Sequence, residues 1–122
     1  MFSGIAPFPC VIAKNSRPKI VYGIEANKQA RNYGLENVKI NKLTNVKLIQ
    51  GDVKKIIPKI KETFDKILLP LPKKAEEYLD LALTKLKPKG KIYLYMFVSE
   101  YDLGAVKKAY QRRFKKVNLI EC

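Results

Sequence analysis

Lys19-Ile20-Val21-Tyr22-Gly23-Ile24-Glu25-Ala26-Asn27 is the stretch on which the fold turns. Lys19 to Ile24 form a short, apolar, partly β-branched run, the pattern of a strand buried on both faces. An acid, Glu25, closes the run. Two residues later Asn27 can accept a backbone hydrogen bond and cap a helix that extends to about Asn41. A buried strand leading directly into a capped helix is the opening of a parallel strand–helix unit.

The same alternation continues downstream. Val46 to Gln50 reads as a second strand. Ile56, Ile57 and Ile60 suggest a short helix interrupted near Pro58, and Phe64 to Leu69 a third strand. From about Lys74 to Leu86, Ala75, Tyr78, Leu79, Ala82, Leu83 and Leu86 recur at helical spacing, the clearest helical pattern in the chain. Pro88-Lys89-Gly90 would end that helix and turn the chain. Ile92 to Val98 is a further strand. Leu103, Val106, Ala109 and Tyr110 suggest a helix, and Val117 to Ile120 a closing strand. Upstream, Met1 to Pro7 reads as a loop that follows a strand, with a helix from about Phe8 to Asn15. The fold class is therefore α/β, a doubly wound, mostly parallel sheet with helices on both faces. It forms a single domain over residues 1–122, with no repeat or linker.

Composition narrows the chemistry. The 122 residues include 25 Lys and Arg against 11 Asp and Glu, a net charge of +14, with no His and no Trp. A histidine base, a Ser–His–Asp triad and a His-ligated metal are excluded. Cys10 and Cys122 do not form a ligand set, so no metal is expected. Two lone cysteines and abundant lysine suggest a reducing cytoplasm. No apolar run approaches the roughly 20 residues of a membrane span, and Met1 to Gly4 does not begin a signal peptide. The positive charge favours a polyanionic partner such as RNA. It is spread along the chain: 12 basic and 3 acidic residues through Lys61, then 13 and 8. The one dense basic cluster spans Lys107 to Lys116. It would either grip phosphates or form a solvated helix face.

Four segments fall beyond the carboxyl ends of the expected strands, where a doubly wound sheet binds a nucleotide. Phe2-Ser3-Gly4-Ile5-Ala6-Pro7 is small and tight, and Gly4 admits close backbone approach. Glu25 follows Gly4 by 21 residues and can accept from both ribose hydroxyls. Gly51-Asp52-Val53 places an acid where an adenine amino group can donate. Pro70-Leu71-Pro72 is a stiff loop after the next strand. Each segment has a plainer reading as a turn, a helix cap or a strand stop. Their order and spacing together fit one ligand lying across successive strand ends. Tyr93 and Tyr95 alternate on one strand, where they would pack in preference to stacking on bases, while Phe97 would either line a pocket or fill the core.

With these segments in place, the chain resembles the catalytic domain of archaeal tRNA guanine-37 N1-methyltransferases and their wybutosine-pathway relatives. These are class I enzymes that use S-adenosylmethionine. Met1 to Phe8 is similar to the family's first motif, Asp-x-Phe-(Ala/Ser)-Gly-x-Gly-Pro-Phe. Val21 to Asn27 resembles its second strand, Glu36 to Lys42 a helix end, and Gly51 to Val53 its adenine loop. Phe64 to Lys73 resembles its fourth strand and substrate loop, and Gly90 to Phe97 its fifth strand. The resemblance implies a Rossmann-like domain that binds S-adenosylmethionine through Phe2, Gly4, Ala6, Glu25, Ala26, Asp52, Val53 and Pro70. It implies a tRNA substrate, contacted through Leu71, Pro72 and Phe97.

Departures from the pattern shape the expectation. The family's leading Asp and the central strand before it would precede Met1, as would its RNA-binding region and acid–base groups. The C-terminus stops before the last antiparallel strand. The catalytic residues are thus unknown, and a second polypeptide or further segment would supply the missing parts. Ala6 replaces the second Gly of the first motif, and Pro70 the Asn of the substrate loop. Exposed strand edges predict self-association or low stability. The rivals are a non-catalytic remnant or RNA-binding module that retains the fold, and a nicotinamide-dependent oxidoreductase. Against the latter, the Gly-x-Gly-x-x-Gly fingerprint is absent: Ala6 and Pro9 follow Gly4.

Overall fold

The computed structural model describes residues 1–71 and 74–114. Among them the chain order is α1 (Pro7–Asn15), β1 (Val21–Glu25), α2 (Lys28–Ile40), β2 (Val46–Gln50) and α3 (Val53–Ile56), which runs into a 3-10 turn (Ile57–Lys59). There follow β3 (Phe64–Leu69), a second 3-10 turn (Ala75–Tyr78), α4 (Leu79–Leu83), β4 (Leu86–Leu94) and α5 (Leu103–Arg113). Asn27 caps α2 as its position suggests: its side chain accepts from the Ala30 N–H at 3.0 Å. The expected closing strand at 117–120, Cys122 and the Lys115–Lys116 end of the basic cluster lie outside the described residues, as does Pro72.

The four strands form two parallel pairs. β1 lies beside β2 in the register Val21↔Val46 to Glu25↔Gln50. β3 lies beside β4, with Ile67 opposite Ile92 and Leu69 opposite Leu94. Helices cover both faces of the first pair. Successive residues of a strand point to opposite faces, and here each side has its own apolar cluster. Ile24 packs with Val53, Ile57 and Ile60 from the α3 region. Leu48 packs with Ala6 and Cys10 from α1, and with Val38 near the end of α2. Gly23 and Gly34 permit this close packing. A Cβ on Gly23 would stand 2.5 Å from Leu48 Cδ2, and one on Gly34 2.9 Å from Leu48 Cδ1.

The second pair is buried on one face. Ile67, Leu69, Leu79, Ala82 and Tyr110 form its core. Burial, with the Glu76 carboxylate nearby, pushes the Tyr110 phenol up to about 12. On the opposite face Tyr93 and Tyr95 are partly open, and Phe8 of α1 leans on Tyr95 with ring centroids 5.7 Å apart. Met1, Phe2, Phe64 and Tyr78 pack against both the Ile24 and the Leu69 clusters, so they join the two halves.

Two expectations are corrected here. The helix expected over Lys74–Leu86 is reduced to a 3-10 turn and the five residues of α4. Its periodic residues Leu79 and Ala82 do reach the core. The helix stops because Lys85 O accepts the Phe64 N–H at 2.8 Å and Leu86 is taken into the ladder opposite Phe64. Thr84 Oγ1 also turns back to Leu81 O at 2.6 Å, which competes with helix continuation. Consequently Pro88-Lys89-Gly90 lies within β4 instead of between a helix and a strand. Lys89 has φ +62°, beside a register irregularity. The strand expected over Ile92–Val98 also ends earlier, at Leu94. Its partner runs out: Tyr95 N donates to Leu69 O, and the next residue on the β3 side is Pro70, which has no N–H.

Candidate functional site

Among the residues singled out from the sequence, Gly4, Glu25 and the Gly51–Asp52 turn come together at the carboxyl ends of β1 and β2, and Glu25 organises them. Its Oε2 accepts the Gly4 N–H at 2.8 Å and its Oε1 accepts the Asn27 N–H at 2.9 Å. The carboxylate therefore clamps the loop before α1 to the loop before α2. A carboxylate offers about four acceptor positions, so two remain for hydroxyl donors. Gly51 N donates to Glu25 O at 2.9 Å, which brings the Gly51–Asp52 turn to the same end of the sheet.

The loop before α1 is held in left-handed backbone. Phe2, Gly4 and Ala6 have φ of +53°, +53° and +65°. At Gly4 nothing lies within 4 Å of an added Cβ, so the backbone there is open to a ligand. Ala6 is fully buried and caps α1 in the left-handed region, where an alanine carries about 1 kcal/mol or more of strain that glycine would not. The structure thus shows why the second glycine of the motif is the favoured residue and how Ala6 replaces it: its methyl packs in the Leu48 cluster. Phe2 is a packing residue, edge-on to Tyr78 at 4.7 Å.

Asp52 performs the plainer role as well as standing in the site. Its Oδ1 caps α3 by accepting the Lys54 N–H at 2.8 Å; among the described residues Oδ2 makes no hydrogen bond. Gly51 has φ +146°, open to glycine and strained for other residues. Val53 is buried in the Ile24 cluster, so only its backbone can face a ligand. Ala26 is exposed between Glu25 and the α2 cap.

The substrate-side residues separate. Pro70 and Leu71 are half-buried, and Leu71 packs against the Leu69 cluster. Phe97 is 83% exposed, which overturns the core-filling reading of that residue. It lines an open groove of about 510 Å³ with Val98, Ser99, Asp102, Ala105 and Val106. Ser99 and Asp102 were not apparent from the sequence. Asp102 N donates to Ser99 O and Tyr101 N to Ser99 Oγ, and this Ser-x-x-Asp turn just before a helix was the available signal. In the basic cluster, Arg113 is occupied structurally: it bonds Asp80 at 2.6 Å and Glu76 at 3.3 Å, tying α5 to α4. Among the described residues no helix is long and apolar enough to cross a membrane.

Comparison with known proteins shows the family. The family model described as the TRM5/TYW2 methyltransferase domain matches residues 1–120. A tRNA 4-demethylwyosine(37)-methyltransferase of Saccharolobus solfataricus is 43% identical over 78% of this chain and 36% of its own length. A tRNA (guanine(37)-N(1))-methyltransferase of Pyrococcus abyssi is 37% identical over 84% of this chain and 29% of its own. The solved structure of Methanocaldococcus jannaschii TYW2 in complex with AdoMet superposes with a TM-score of 0.80. It is 32% identical, and the match covers 99% of this chain and 56% of that one. The chain spans less than two-fifths of the length of these curated relatives.

Proposed function

Because this chain belongs to the TRM5/TYW2 methyltransferase domain family, we propose that it is the S-adenosylmethionine-binding core of a tRNA-modifying enzyme. In this reading it transfers a methyl group to N1 of guanine 37, beside the anticodon. The carrying observation is the Glu25 carboxylate, bonded to both Gly4 and Asn27 and still able to accept from two hydroxyls.

The residues present suit the cofactor. Glu25 would hold the ribose, Asp52 Oδ2 the adenine amino group, and the backbone of Phe2, Gly4 and Ala6 the amino-acid end, with Ala26, Val53 and Pro70 around it. When bound, S-adenosylmethionine supplies an electrophilic methyl. The chain's own part is placement: fixing two reactants in line supplies much of the acceleration in a transfer of this kind. Leu71, Pro72 and Phe97 would orient the target base. RNA-binding and acid–base groups would come from outside these residues, through a further segment or a second polypeptide; cytoplasmic tRNA is the expected partner.

Calorimetric titration with S-adenosylmethionine, with NAD as control, tests the cofactor reading. Saturable binding that Glu25→Ala weakens at least tenfold supports it. Absence of binding by a chain with a folded circular dichroism spectrum favours the non-catalytic remnant. Mass analysis of position 37 after incubation with unmodified tRNA and the full-length enzyme would read the transferred group, and an adduct heavier than methyl would refute the methyl reading.

A further inference from the structure

The amino ends of β1 and β2 lie opposite the strand ends that carry Glu25, and both α1 and α2 finish there. Lys14 Nζ donates to Asn41 Oδ1 at 3.5 Å and Asn45 Nδ2 to Pro18 O at 3.0 Å, so the chain leaving α1 runs beside the chain leaving α2. Residues 7–20 and 37–45 together hold Lys14, Arg17, Lys19, Lys39 and Lys42 and no acid. All of these cations are on exposed residues, and among the described residues none of them is in an ion pair. In the sequence they are scattered; the fold gathers them on one face.

Helix ends account for part of this pattern. Lys14 and Lys39 stand in the last turns of α1 and α2, where a cation offsets the helix dipole. Arg17 and Lys42 stand one residue beyond the caps Ser16 and Asn41, with φ of +47° and +54°. That position favours glycine, which enters left-handed backbone freely. At α2 the closing motif is complete: Lys42 N donates to Lys39 O at 3.0 Å and Leu43 N to Val38 O at 3.1 Å. Val38 and Leu43 both pack against the Leu48 cluster. Two neighbouring helix ends therefore each hold a long cation where the fold alone favours glycine. Strain kept in this way points to a role outside the fold.

We propose that this face binds the phosphate backbone of an RNA helix, away from the cofactor end. The proposal rests on the reading of the chain as a tRNA-modifying core, and adds a place where a second stretch of the RNA is held. The five residues of β1 put roughly 13 Å between Val21 and Glu25. The face is therefore separate from the cofactor site, yet near enough for one RNA to touch both. Lysine and arginine heads on flexible stems follow a repeated charge, and each phosphate they neutralise releases counterions. A protein partner fits less well. Its interface would need a desolvated apolar centre poor in lysine, and here Ile20 and Ile40 are the exposed large apolar side chains among the cations.

The whole chain would be titrated with a short labelled RNA duplex by fluorescence anisotropy over a range of salt. The test variant carries Arg17→Gly and Lys42→Gly together, which removes two charges and relieves the backbone. It should melt no lower than the parent, yet bind the duplex about tenfold or more weakly, with the slope of log affinity against log salt reduced by about 2. Arg17→Lys with Lys42→Arg, which keeps the charge, should keep the affinity. Lys108→Gln with Arg112→Gln removes the same charge from the other half and should matter less. Equal weakening by the two charge-removing pairs overturns the proposal, because net charge alone would then attract the RNA. Unchanged duplex binding by the glycine variant overturns it, and so does displacement of the duplex by polyglutamate as readily as by unlabelled duplex, which would assign the face to an acidic protein. S-adenosylmethionine binding by the glycine variant should equal that of the parent, so this face and the cofactor site can fail separately.

Discussion

The β1–β2 half and the β3–β4 half are built from the same parallel strand unit, yet they are finished differently. The first is covered by helices on both faces, and its strand-end loops are pinned by backbone bonds to Glu25. The second is packed on one face only, with Tyr93 and Tyr95 partly open on the other and Phe97 and Tyr101 standing in solvent. A pinned, pre-formed site suits a small ligand of fixed shape. Open aromatic side chains beside a shallow groove suit a larger partner that completes the surface on arrival. Under the proposed function, the first half would hold the cofactor and the second would meet the substrate.

Truncating the core tests whether the halves melt together. Leu69→Ala empties the fully buried centre of the second half and should cost about 2–5 kcal/mol. Leu48→Ala should cost a similar amount in the first. Because Phe2, Phe64 and Tyr78 pack against two clusters, urea unfolding followed by two probes should show one transition for both variants. Two separate transitions would make the halves independent units. A smaller effect, about 1–3 kcal/mol, is expected from Gly23→Ala, whose Cβ would press on Leu48 and Ser3. The same urea series measures it, and a neutral result would show that β1 can move away from α1.

The join between the halves carries a pH signature. The Met1 amine has a folded pKa of about 6 against 8.0 when unperturbed. Between those values the unfolded chain binds a proton that the folded chain does not. Stability should therefore fall as pH drops from 8 to 6, by about 2 kcal/mol at most. Denaturation midpoints at pH 8.5 and 5.5 would show this, and acetylating the amine should flatten the difference. The smallest effect belongs to Arg113→Ala. Its ion pairs with Glu76 and Asp80 are exposed, so about 0–1 kcal/mol is expected in thermal melts. A larger loss would show that the α4–α5 contact is more than a surface tie.

The first half was legible because each of its signals is local. Asn27 caps the helix that follows it, β1 and β2 fall on their apolar runs, and Glu25 stands at the strand end that the spacing indicates. The role of Glu25 as a clamp was not legible, since its partners are backbone N–H groups, one of them 21 residues away. In the second half, local pattern and final structure disagree. Leu86 completes a helical stripe in the sequence and becomes the first residue of β4 in the fold.

By itself the sequence determined the alternation of strands and helices, the absence of histidine chemistry and the set of small and acidic residues at the strand ends. These depend on residue type and short-range periodicity. Tertiary structure alone decided where α4 stops, which face of β4 stays open, that Phe97 lies outside the core, and that residues 1–3 join two sheets. Each of these depends on which backbone edge finds a partner, and a hydrogen bond between distant strands outweighs the weak helical preference of a few residues.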